Sequence, residues 1–160
     1  MPQKDVGASH FPLIEPGRLS EFRFNEPFSA PVGTPINLFS ATLATTFILV
    51  DDPGDRVWVN AAVRWFANFT AVGTVTVTFT LLRDGVPILA INQTVFNPVA
   101  GAATVSNVFR LQYVDLPLSG LAIPTLTPVV YTLQASTIST TAFTTGPVTL
   151  SVAEIEPNRL

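Results

Sequence analysis

The chain has 160 residues, a formal net charge of −3 and no cysteine, which suits one domain and excludes disulfides, thiol redox chemistry and thiolate metal sites. Charged residues make up 12% of it, about half the share of an average soluble domain. Seven of its eight basic residues are arginines scattered without a run, which argues against a nucleic-acid surface.

Residues 1–17 read as an extended arm ahead of a domain over 18–160. Pro2, Pro12 and Pro16 with Gly7 and Gly17 rule out a helix there. Yet Phe11, Leu13 and Ile14 around Pro12 form an apolar knot, which a solvated tail has no use for. A frayed tail is one reading. The other, which is the expectation carried forward, is a segment that docks on its own body or on a neighbouring subunit, with Phe11, Leu13 and Ile14 as its inter-subunit contacts. The opening Met1-Pro2-Gln3-Lys4-Asp5 lacks the apolar core of a signal peptide, so synthesis in a cytoplasm is expected.

Leu19 to Phe28 alternates around Phe22 and Phe24 and predicts a short strand. Ile36 to Val50 predicts one or two strands broken near Ser40-Ala41, too polar and short for a membrane span. Asp51-Asp52-Pro53-Gly54-Asp55 follows. Three carboxylates in five residues are the weak metal candidate of the chain, because hard oxygen clusters suit Ca²⁺. Asp, Pro and Gly are also what a plain turn needs, and that is the preferred reading.

Arg56 to Asn92 predicts a long hairpin. Val57, Val59, Ala61, Val63, Trp65, Ala67 and Phe69 alternate with Trp58, Asn60, Ala62, Arg64, Phe66 and Asn68, so the odd positions line a buried face. Val75, Val77, Phe79 and Leu81 repeat the pattern against Thr74, Thr76, Thr78 and Thr80. Asp84-Gly85 is a two-residue hairpin turn, since both residues reach positive φ. Pairing Arg83 with Val86 places Leu81 opposite Ile88 and Phe79 opposite Ala90. Leu89 and Ile91 then fall on the outer face, as do Trp58 and Phe66. An outer face carrying aromatic residues among so few charges is expected at a subunit interface; a sugar platform built on Trp58 is the alternative.

Further strands are expected around Val105–Tyr113 and Val129–Ala135, and a last one over Val148–Val152, with Ser136 to Gly146 as a turning stretch. No segment shows a helical period. About eight strands with regular turns predict an all-β antiparallel jelly-roll sandwich. The only histidine, His10, lies in the arm, and no phosphate-cradling loop or nucleophile motif is present, so no catalytic residue and no cofactor is assigned.

Four stretches carry a resemblance. They are Gly54-Asp55-Arg56-Val57 with Val63-Arg64-Trp65; Phe79-Thr80-Leu81-Leu82-Arg83-Asp84-Gly85; Leu111-Gln112-Tyr113-Val114-Asp115-Leu116-Pro117; and Val130-Tyr131-Thr132-Leu133-Gln134-Ala135 before Gly146-Pro147-Val148-Thr149-Leu150 and Glu154-Ile155. Together, over residues 50–156, they resemble the jelly-roll domains of spore-surface proteins, which are similar to the tumour necrosis factor and complement globular-head superfamily. The resemblance implies a homotrimer on an exosporium or spore appendage. Trp58, Phe66, Leu89, Ile91, Tyr113 and Tyr131 are the candidate interface residues. The collagen-like stalk of many such proteins is missing from this sequence. The functional expectation is a non-enzymatic self-assembling structural subunit without nucleic-acid or membrane partners. The alternatives are a carbohydrate-binding module, or a viral or phage coat or fibre protein.

Overall fold

The computed structural model describes residues 19–25, 34–36, 40–118, 126–139 and 141–156, so the expected arm with Phe11, Leu13 and Ile14 lies outside the described residues. Nine strands are described. They are β1 (Leu19–Asn25), β2 (Thr34–Ile36), β3 (Ala41–Val50), β4 (Arg56–Phe69), β5 (Gly73–Arg83), β6 (Val86–Asn97), β7 (Ala103–Asp115), β8 (Thr127–Ser136) and β9 (Ala142–Ile155). One sheet runs β1-β9-β4-β7, with β2 also on β9; the other runs β3-β8-β5-β6, and every pairing is antiparallel.

The partners β5–β6, β4–β7, β3–β8 and β1–β9 are nested. The chain is thus one long antiparallel ribbon with its tip at Asp84-Gly85, rolled up so that β9 meets β4 and β8 meets β5. That is a jelly roll. β1 pairs with residues 150–155 of β9 and β2 with residues 142–144, so both lie end to end on the same side of β9. They fill one strand position, which reconciles nine segments with the expected eight.

The alternation in β4 and β5 sets the core. Val59, Val63, Trp65, Val77, Phe79 and Leu81 are all buried between the sheets, as expected. Trp65 of β4, Phe79 of β5 and Phe109 of β7 meet there, with ring centroids 6.4 Å and 4.1 Å apart along the series. Trp65 Nε1 donates to Gln93 Oε1 at 3.0 Å, so the buried indole keeps its hydrogen bond.

Two bulges revise the expected register. At the ribbon tip Asp84 and Gly85 have φ of 50° and 80°, and Arg83 pairs with Val86, as expected. Leu82 then pairs with Pro87 but Leu81 with Leu89, leaving Ile88 as an extra residue. Phe79 therefore lies opposite Ile91, and Leu89 and Ile91 turn to the core side instead of the outer face. One inserted residue reverses the parity of a strand.

The second bulge lies in β9, which starts at Ala142, earlier than expected. Val63 pairs with Val148 and Trp65 with Thr144, so Thr145, Gly146 and Pro147 oppose Arg64 alone. Gly146 sits at φ 74°. A left-handed glycine and a proline without an N–H read as a turn, yet here they kink a continuous strand.

The open sides of the sandwich are closed by side chains. Glu21 Oε2 accepts from Leu49 N at 3.1 Å and Asn25 Nδ2 donates to Thr45 O, so β1 occupies backbone groups on the edge strand β3. Arg23 lies over the Phe47 ring, 5.6 Å from its centroid. On the far side Gln93 of β6 donates to Val108 O of β7 at 3.5 Å. Occupied edges resist pairing with foreign strands.

Candidate functional site

Among the described residues, three places bring chemistry-bearing side chains together. The first is the loop before β4. Asp52 Oδ1 accepts from Gly54 N at 2.7 Å, Asp55 N donates to Asp52 O at 3.0 Å, and Asp52 N donates to Asp55 Oδ2 at 2.9 Å. Asp52, expected among the cation candidates, thus serves the turn. Asp51 and Asp55 instead converge with Glu154, near the end of β9, with ligand oxygens within 4.8 Å of one another. The pairing of Val57 with Glu154 carries this glutamate to the loop. Nothing local in the sequence indicates that, because the partners are ninety-nine residues apart (154 less 55).

Asp51 is exposed, whereas Asp55 and Glu154 are buried. Asp55 has no accessible surface, and its Oδ1 receives no N–H or O–H donor among the described residues. Burial holds the Asp55 carboxyl above the usual carboxylate range. The Asp52 backbone and the Glu154 side chain pull it back in part, while the charges of Asp52 and Asp51 push it up again.

The second place joins the two sheets. Asp115, at the end of β7, accepts from Arg83 Nη1 at 2.9 and 3.0 Å, from Leu116 N at 2.9 Å and from Tyr131 Oη at 2.8 Å. Tyr131 is fully buried in the core, so its expected place at a subunit interface is corrected. The inward face of β8 puts it there. Burial pushes the Tyr131 hydroxyl well up, and the Asp115 carboxylate adds to the shift, so the phenol stays a donor. A carboxylate that accepts from three partners on two sheets clamps those sheets together.

The third place is the outer face of the β1-β9-β4-β7 sheet. Phe22 pairs with Ala153, Ala153 with Trp58, and Trp58 with Val114, so one apolar row crosses all four strands. Phe22 is 53% exposed and Val114 51%, while Trp58 is half-buried and Ala153 is covered by its neighbours. Phe66 stacks on Phe143 farther along the same face, with centroids 5.3 Å apart. Of the expected interface residues, Trp58 and Phe66 are therefore on this face. Tyr113, Leu89 and Ile91 are half-buried and pack against the core. Phe22, Phe143 and Val114 were missed, although the alternation in Leu19–Phe28 already singled out Phe22.

The opposite outer face, on β3-β8-β5-β6, is built differently. Thr76 bonds Thr94 at 2.7 Å, Thr78 donates to Asn92 at 2.8 Å, and Thr45 bonds Thr132 at 3.2 Å. These cross-strand hydroxyl and amide pairs stand beside the exposed Phe47, Val130 and Phe96 of the same face.

No family model matches the chain, and no curated protein matches it. Among solved structures it is similar to a chain in a structure of infectious bursal disease virus, Gx strain, with 16% identity and a TM-score of 0.37. That match covers 86% of this chain and 34% of the other. It is also similar to a chain in a crystal structure of the T13 IBDV viral particle, at 14% identity and a TM-score of 0.42, covering 88% of this chain and 37% of that one. This chain thus spans about a third of the length of those viral chains.

Proposed function

We propose that the protein is a non-enzymatic structural subunit that assembles with copies of itself through the outer face of the β1-β9-β4-β7 sheet. The single observation that carries this reading is the row Phe22, Ala153, Trp58 and Val114, apolar across four strands and flanked at a distance by the Phe66–Phe143 stack. Exposed apolar surface that is continuous across a sheet marks an interaction site more than scattered residues do. The sparse charge and the occupied sheet edges point the same way: contact through a face, not through strand addition at the described edges.

The finer reading is a homotrimer that forms a spore-surface layer or appendage fibre, with residues 1–17 reaching a neighbouring subunit through Phe11, Leu13 and Ile14. Its support is the sequence resemblance over residues 50–156 and the apolar knot in the arm. A body-to-arm contact is heterologous, so it propagates. The test is light scattering of residues 19–160, which leave out the arm, beside the same chain carrying Trp58→Glu with Val114→Glu. The proposal expects an oligomer for the native sequence and a folded monomer for the double variant. An unchanged oligomer in the variant would remove this face from the assembly.

A further inference from the structure

We propose that Asp51, Asp55 and Glu154 form a Ca²⁺ site that fastens the loop before β4 to the end of β9. The donors are all carboxylate oxygens within 4.8 Å of one another, contributed by a turn and a strand that are distant in sequence. Hard oxygen donors in this number suit Ca²⁺, which takes several carboxylates together with backbone oxygens and water, whereas Mg²⁺ keeps more of its own water.

The buried Asp55 Oδ1 is what points to a ligand. It has no donor among the described residues, and the groups that converge on it are carboxyls, which offer a hydrogen bond only when protonated. Oδ2 of the same carboxylate is already held by Asp52 N, which fixes the direction in which Oδ1 points. Three like charges gathered around a buried oxygen are costly unless something positive sits among them. Two positive occupants are conceivable, a proton shared between Asp55 and Glu154, or a cation. The convergence of exposed Asp51 favours the cation. A shared proton needs only two carboxyls and is opposed by the charge of a third, while a cation is stabilised by it. The exposed position of Asp51 also leaves the site an entrance from solvent and room for water ligands.

The site belongs to one subunit, so it is independent of the assembly reading. The experiment is isothermal titration of CaCl₂ into the full-length protein freed of metal by EDTA, with thermal melts in the same buffers. The expected result is saturable heat and a rise in Tm with Ca²⁺, with a smaller response to MgCl₂. Asp55→Asn and Glu154→Gln should lose both signals, and Asp52→Asn, whose amide oxygen still accepts from Gly54, should keep them. Asp51→Asn, an exposed change that leaves the core alone, should weaken Ca²⁺ binding about tenfold and carries the test if the buried variants fail to fold. Absence of heat and of a Tm shift would overturn the site and leave the shared proton as the occupant. An equal response in wild type and Asp51→Asn would also overturn it, as adventitious surface binding.

Discussion

Phe79 sits where the rings of β4, β5 and β7 meet, stacked on Phe109 at 4.1 Å and 1% exposed. Phe79→Ala should destabilise the fold by about 3–5 kcal/mol, because neighbours held by two sheets cannot collapse into the space. Equilibrium urea unfolding measures it. Tyr131→Phe removes one donor from Asp115 while Arg83 and Leu116 remain. Loss of a hydrogen bond to a charged acceptor should cost about 1.5–3 kcal/mol. If Tyr131 instead served an interface, the same change would alter the oligomer and leave monomer stability alone. Asp55 gives a pH dependence. Its folded-state carboxyl is raised above its ordinary value, so its contribution to stability is full below that value and is lost as pH rises through the raised one. Calcium-free protein should therefore have a urea midpoint that falls from acid towards neutral pH, and Asp55→Asn should flatten that slope.

At the scale of elements, what alternation specifies was readable and what depends on an inserted residue was not. The odd positions of β4 and β5 announce their burial because side-chain parity follows residue parity in a regular strand. Asp84-Gly85 announces its turn because only positive φ closes it. Ile88 carries no comparable sign: a bulge is set by how Leu81, Leu82 and Pro87 accommodate the partner strand, and it moved Leu89 and Ile91 to the core side. Gly146 carried a sign that has two meanings, turn or bulge, and register with β4 decided between them. Glu154 joined the acidic loop only through strand pairing that spans nearly the whole domain, so the site was half legible, in Asp51 and Asp55 but not in its third member. The bulge makes its own prediction. A Cβ added at Gly146 meets nothing within 4 Å, so the cost of Gly146→Ala is the backbone's alone, about 1–2 kcal/mol at φ 74°. Thermal melts of the two proteins test it, and no change would mean that β9 relaxes its kink freely.

At the scale of the whole molecule, the rolled ribbon has two unlike faces. The β3-β8-β5-β6 side carries threonine and amide pairs beside the exposed Phe47, Val130 and Phe96, while the β1-β9-β4-β7 side presents an apolar row across four strands. With 12% charged residues, neither face gains solubility from strong repulsion. In the proposed assembly the side with the apolar row is buried against copies of the chain. The measurement that tests this most directly is the mass of residues 19–160, without the arm, by size-exclusion light scattering at micromolar concentration. The account predicts a defined multiple of the single-chain mass that falls to that mass in the Trp58→Glu, Val114→Glu double variant with its strand content intact. A stable single-chain mass for the native sequence under the same conditions would contradict it.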